Sequence, residues 1–417
     1  MPNRILAGIF ASAVVAGAAA SAAAGTADAA NPAPDTTREH QLGSPDTAQV
    51  PRPTVQFFGH LDIAVESTRN GAGGSSVGLS SGVDSGSYLG LRAFTNVQPG
   101  LRVFAALEAG FDAASGSMKK YQGDYDAATP TSPGGAYSTG LFNRVSIVGL
   151  GTRYGVFILG RDYTPQYYMG NETDPMKLDF YGNLQQVVQL TGTGPERFAQ
   201  TSNEVLYKSP WVHGFKVRAG YGFGSQSPGY SGVPTPSSPP PSQANHLASV
   251  SLSYRHLGLI VSGVYERLSV PVVSGSGTSA VFTGAIGTRS SSAIGAKYRF
   301  GRYMVGGGYL KVTQPMPDNN ASDAWLGGGV KVGSGQVLAE VQHMKLQAGA
   351  TRNMHADVYA LTYVHSLEGA AQIYASYGEV RNAPNSGFGL VSGDSIVGAG
   401  QLGANVRGFA VGLHYPF

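Results

Sequence analysis

Val406-Arg407-Gly408-Phe409-Ala410-Val411-Gly412-Leu413-His414-Tyr415-Pro416-Phe417 alternates in polarity. Phe409, Val411, Leu413, Tyr415 and Phe417 fall on one side of an extended strand, and Ala410, Gly412 and His414 on the other, with the period of two expected of β-structure. Chain ends of soluble domains usually fray into water. A terminal aromatic carrying the chain carboxylate is therefore expected where grease meets water. The aromatic girdle of a membrane β-barrel provides that setting, and a last strand that closes a barrel pairs its backbone groups with the first strand.

Composition agrees. Of 417 residues, 13% are charged and 60 are Gly, with 22 Tyr, 17 Phe and no Cys, whereas a soluble domain has about 25% charged residues and about 7% Gly. Apart from the N-terminus, no run approaches the roughly 18 apolar residues of a spanning helix. Many short strands with one greasy and one wet face fit this mixture. The net charge of +3, from 28 basic and 25 acidic residues, forms no concentrated basic patch in the sequence, which argues against a nucleic-acid partner. Without Cys there is no disulfide or thiolate chemistry.

Residues 1–30 read as a secretory signal: Arg4 starts it, residues 5–20 are apolar, and Ala27-Asp28-Ala29 is a small-x-small cleavage site. Residues 31–53 are polar, Pro-rich and without period, a flexible segment. Residues 54–417 carry the strands. Val55, Phe57, Leu61, Ile63 and Val65 oppose Gln56, His60, Asp62 and Glu66. Val103, Leu107 and Phe111 oppose Arg102 and Glu108; Phe215 and Val217 oppose Lys216 and Arg218; Tyr298 and Phe300 oppose Lys297 and Arg299. Charges recur on one face only.

Short Gly-containing turns near 99–100, 151–155, 212–214, 256–258, 301–302, 333–335 and 367–369 alternate with long irregular stretches at 113–140, 163–201, 225–245, 269–287 and 381–405. Short turns at one end and long loops at the other mark an antiparallel up-and-down barrel. Seven turns, each joining two strands, together with the first and last strands, predict an all-β transmembrane barrel of sixteen strands. Barrels of about that size enclose an aqueous channel.

The segments 55–66, 87–94, 101–111, 142–163, 203–210 and the terminal strand together resemble the Gram-negative general porins, especially those of β-proteobacteria. The resemblance implies a trimeric outer-membrane diffusion channel for small hydrophilic solutes and ions, surrounded by the lipid bilayer and lipopolysaccharide. It also implies a third loop, 163–201, folded into the lumen with acidic residues facing basic residues on the wall. Asp174 and Asp179 match the two constriction acids, with Glu172 a nearby third. The run Lys177-Leu178-Asp179-Phe180-Tyr181-Gly182 replaces the family's Pro-Glu-Phe-Gly-Gly. On the wall, Arg144 and Arg161 match family arginines. Tyr88 stands at the second-strand arginine position, with Arg92 four residues on. Gln200 stands ahead of the sixth strand, with Arg197 close by, and His60 at the first-strand lysine position. The thinned basic ladder implies mild selectivity.

Other motifs carry less. Gly398-Ala399-Gly400-Gln401-Leu402-Gly403 matches a dinucleotide-binding pattern but lacks the βαβ unit it needs. The nine His have no helical metal-ligand spacing, and His60 with Asp62 reads as a polar lumen pair. No nucleophile motif stands out, so no catalytic, cofactor or metal residue is expected. The run 239–241 of Pro reads as surface loop. The competing function is an adhesin or receptor barrel acting through its long outer loops.

Overall fold

The computed structural model describes residues 53–71, 73–118, 121–122, 137–138, 140–190, 199–223, 246–274, 281–313, 320–348, 352–367 and 370–417. The leader 1–30, the extension 31–53 up to residue 52, Arg197 and the loop 225–245 lie outside the described residues.

The strands are β1 Thr54–Asn70, β2 Ser75–Ser81, β3 Tyr88–Gln98, β4 Leu101–Gly110, β5 Val145–Thr152, β6 Gly155–Tyr163, β7 Gln200–Lys208 and β8 Phe215–Gly222. They continue as β9 Leu247–His256, β10 Leu259–Ser274, β11 Val281–Phe300, β12 Tyr303–Thr313, β13 Ala321–Val332, β14 Gly335–Ala348, β15 Arg352–Ser366, β16 Gln372–Asn382 and β17 Val406–Pro416. Each pairs antiparallel with its neighbours, and β17 returns to β1 from His60↔Pro416 to Asn70↔Val406. Of the 17 segments in the sheet, β2 and β3 share one position beside β1, which leaves sixteen. The closed sixteen-strand antiparallel barrel is the expected fold.

Its polarity is inside out. Phe57, Val65, Val411 and Leu413 are exposed on the outer face, while Asp62, Arg102, Glu108, Arg218 and Lys297 are buried on the inner one. Lipid takes the place of a core around the outside. The short connections fall where the Gly turns were expected, except that residues 368–369 of the last one lie outside the described residues. The stretch 269–287, expected as loop, is instead largely strand: β10 and β11 stay paired out to Ser274↔Val281, with a bulge between Pro271 and Val273. Pairing satisfies backbone groups that a loop would leave to water, so the hairpin runs on.

Three segments turn inward. Between β2 and β3, residues 82–87 leave the ladder, burying Val83, Asp84 and Ser87. The third loop enters as helix α1, Pro165–Thr173, whose N-cap Thr164 accepts from the Tyr167 N–H and whose first position is Pro, a combination that starts a helix at low cost. Pro175, two residues past its end, cannot continue it. A 3₁₀ turn, Leu184–Gln189, follows. The eighth loop, 383–405, carries two-residue strands Leu390–Val391 and Ile396–Val397 and packs on that turn, where Gln186 and Gln189 bond the backbone of Gly389 and Val391.

The third loop is seated on facing pairs of glycines. Gly378 on β16 lies opposite Gly408 on β17, and a Cβ at Gly408 would meet Tyr181 Cζ at 2.7 Å. Gly306 on β12 lies opposite Gly327 on β13, and Pro175 Cγ would be 3.2 and 3.1 Å from a Cβ at each. Strand-interior Gly marks a close approach of this kind. Gly408→Val is expected to push Tyr181 off its seat and, as overpacking costs about 1–3 kcal/mol, to lower the urea midpoint of the folded barrel. A midpoint equal to that of the unsubstituted protein would show that the loop does not rest there.

Candidate functional site: the lumen constriction

Of the acids expected to face the lumen, Glu172 fastens the third loop to the wall and Asp174 braces the loop from within. Glu172, near the end of α1, takes Arg218 Nη2 at 2.7 Å on one oxygen and the Ser253 hydroxyl at 2.5 Å on the other. Arg218 also lies under the Tyr168 ring, 4.8 Å from its centroid. Asp174 is fully buried and its carboxylate accepts from the backbone N–H groups of Met176, Leu178 and Leu184 at 2.9, 2.8 and 3.2 Å. That arrangement holds the turn in which Lys177, Leu178 and Phe180 adopt φ of 63°, 64° and 62°, a left-handed backbone that non-glycine residues enter only under such constraint. Lys297 Nζ donates to the carbonyls of Asn171 and Asp174 at 3.2 and 3.0 Å.

Further along, the Tyr181 hydroxyl donates to Glu66, and Gln342 Nε2 donates to the Gly182 carbonyl at 2.7 Å. Asp179 is half-buried with no side-chain hydrogen bond among the described residues. Burial and the nearby Asp84 raise its carboxyl well above the usual carboxylate range, and Lys177 opposes the shift. Of the three loop acids, Asp179 alone among them is not held by a hydrogen-bonding partner in the loop or wall.

The wall residues lie on β1, β3 and β6 and, for Arg144, just ahead of β5. Arg144 Nη2 donates to the Tyr163 hydroxyl at 2.7 Å, its Nε lies 3.6 Å from Glu108, and its guanidinium covers the Tyr88 ring at 4.4 Å. His60 pairs across the ladder with Tyr88, and its Nε2 lies 2.7 Å from the Gly86 carbonyl. Arg92 donates to Gln56 at 2.7 Å and covers Phe58 at 4.9 Å. Arg161 donates to the Asn143 carbonyl at 2.7 Å, to Ser202 at 3.0 Å and to Gln200 at 3.4 Å. His60, Tyr88 and Arg144 are thus brought together, Arg161 is held among polar wall groups, and Asp174 is buried against Lys297 and the loop backbone.

Two acids were not singled out from the sequence. Asp84 sits on the inward segment 82–87, and Asp394, on the eighth loop, crowds Gly86 together with Arg144: a Cβ at Gly86 would lie 2.3 Å from Asp394 Oδ2 and 3.0 Å from Arg144 Nη1. The bracketing Gly82 and Gly86 are the sequence signal for the break in β2–β3.

The profile of the Gram-negative porin family matches residues 11–385. The chain belongs to the Gram-negative porins. Among solved structures, the porin shares its fold with an anion-selective porin from Comamonas acidovorans, at 22% identity and a TM-score of 0.69 over 88% of this chain and 100% of that one. It is also similar to the trimer form of OmpT, an outer membrane protein of Vibrio cholerae (19%, TM-score 0.59, 88% and 100% covered). A third likeness is to OmpF of Salmonella typhi in complex with daunomycin (14%, TM-score 0.54, 87% and 97% covered). No curated protein matches by sequence. Family and fold make this chain an outer-membrane porin channel.

Breaking a buried ion pair from one side leaves the other charge unpaired, a strongly destabilising change. In the porin with Glu172→Gln, amide exchange across 165–173 is expected to quicken at least roughly tenfold, equivalent to about 1.4 kcal/mol. Unchanged exchange by mass spectrometry would remove Glu172 from the anchoring of α1.

Proposed function

We propose that the porin passes small hydrophilic solutes and ions by passive diffusion, as a channel and not an enzyme, through an eyelet with a mild preference for anions. In this reading Arg144 and Arg92, with His60 and Tyr88 between them, supply the basic side. Asp179 supplies the acidic side, and Asp394, which meets Arg144 at Gly86, tempers the basic side. Arg161 keeps the wall polar behind Arg144. Glu172 and Asp174 hold the loop in place and contribute little field to the lumen, and Arg197 lies outside the described residues. A charge separation across a narrow opening with low-dielectric walls orients dipolar solutes and favours them over apolar ones.

The observation that carries the reading is the fate of the loop acids. Glu172 is neutralised by Arg218 and Asp174 is spent on backbone amides, so neither carboxylate offsets the wall arginines, and the Glu108 and Asp394 beside Arg144 keep the resulting preference mild. The likeness in fold to a porin named as anion-selective supports the same sign. The trimer form of a porin-like neighbour supports a homotrimer, and the leader 1–30 supports export with cleavage into the outer membrane, leaving 31–53 as an extension ahead of the barrel.

Reversal potentials under a KCl gradient test this. The unsubstituted porin is expected to favour Cl⁻, Arg144→Ala to move the potential toward K⁺, and Asp179→Asn to move it further toward Cl⁻. Because the Asp179 carboxyl is raised, lowering the pH through that elevated value removes its charge and strengthens the anion preference, and Asp179→Asn flattens this dependence. Potentials that ignore both substitutions would contradict the eyelet assignment. Liposome swelling with small sugars, absent for larger ones, checks the diffusion itself.

A further inference from the structure

Where the barrel closes, Asp62 of β1 and His414 of β17 are cross-strand partners, and the inward segment 82–87 brings Asp84 against them. One ligand atom from each lies within 4.8 Å of the others. His414 Nδ1 is 3.1 Å from Asp84 Oδ2 and 4.0 Å from Asp62 Oδ2. Two atoms bound to one Zn²⁺ at about 2.0–2.2 Å each can be at most about 4.4 Å apart, so both His414 spacings suit a shared ion, and the 4.8 Å bound on the whole set asks for closure by a few tenths of an ångström on binding.

The second observation is Asp62 itself. It is fully buried. Its Oδ1 accepts from the Asp84 N–H at 3.2 Å and the Tyr374 hydroxyl at 3.1 Å, whereas its Oδ2 is enclosed without a hydrogen bond. A buried carboxylate oxygen left without a partner is costly. The neighbours deepen the imbalance: Asp179 adds a third carboxylate close to Asp84, opposed by Lys177, and Arg144, on the adjoining wall, is already beside Glu108. Two carboxylates are neutralised by one dication, and a donor set of two oxygens and one imidazole suits a borderline metal such as Zn²⁺.

We propose that Asp62, Asp84 and His414 form a divalent-cation site, best matched to Zn²⁺, that staples the inward segment 82–87 to the closing seam of the barrel. The half-buried His414 faces the lumen, which gives the ion its entry and leaves a coordination position for water. The staple reaches the constriction through two backbone contacts: the Phe180 N–H donates to the Asp84 carbonyl at 3.4 Å and the Gly393 N–H to the Val83 carbonyl at 3.1 Å. Metal occupancy therefore stiffens the third and eighth loops together. His60 was paired with Asp62 from sequence spacing alone, but the fold supplies His414 in the ligand position and places His60 beside it, rings 4.6 Å apart.

The test is calorimetric titration of the folded, chelator-treated full-chain porin with ZnCl₂. One Zn²⁺ per chain is expected, weakened about tenfold or more by Asp84→Asn and by His414→Gln. His343→Ala, which removes the competing His343–Asp357 pair on the outer part of the wall, is expected to leave binding unchanged. In planar bilayers, micromolar Zn²⁺ should quieten open-channel current noise in the unsubstituted porin and not in Asp84→Asn. No binding by the unsubstituted porin, a result that needs no variant to fold, overturns the site. So does binding that survives both ligand substitutions or disappears with His343→Ala.

Discussion

Everything in this structure follows from the need to pair each backbone N–H and C=O that crosses a bilayer. In hydrocarbon an unpaired group costs several kcal/mol, and an open sheet edge would expose a whole row of them. The pairing of β1 with β17 over Thr68↔Gly408, Ala64↔Gly412 and their neighbours removes that edge. Gly59 and Phe417 extend it by exchanging both backbone hydrogen bonds at 3.0 Å. Closure then fixes the alternation: outward residues must be apolar, and inward ones face water or the loops.

A sixteen-strand bore is too wide for side chains alone to define, and in this porin the narrowing is done by backbone. Three inward segments are laced to one another and to the wall. Tyr181 and Leu390 share the seat made by Gly378 and Gly408, so the third and eighth loops hold each other down. The charges that fasten these segments are consumed by that task, and the electrostatics of the opening are set by what remains. This separates two roles that acidic loop residues can play. Glu172 and Asp174 are engaged in holding the third loop, while the field role proposed for Asp179 needs a carboxylate without such a partner.

The barrel was legible because its physics is local and periodic. The alternation in β1, β4, β8 and β17, together with the Gly turns, gave strand count and facing without any knowledge of long-range contacts. The hairpin of β10 and β11 was cut short in that reading because a Ser- and Gly-rich composition resembles loop, although pairing carries it outward. The constriction was only partly legible. Positions such as Arg144 and Asp179 could be found by resemblance, but the partners of Glu172 and Asp174 come from strands far along the chain, and spacing does not encode them. Asp84 was missed because its role arises from a break in the β1 ladder. The paired glycines Gly306/Gly327 and Gly378/Gly408 were visible as strand-interior Gly, yet the register that sets them opposite each other exists only in the folded sheet.

A closed wall around laced loops that still leaves a continuous wet path is the central claim, and single-channel recording reads it directly. Purified, folded protein added to a planar bilayer should raise the current in discrete steps, each ohmic over small voltages and scaling with bulk salt conductivity. A bilayer that stays sealed while the protein in it is demonstrably folded would contradict the account.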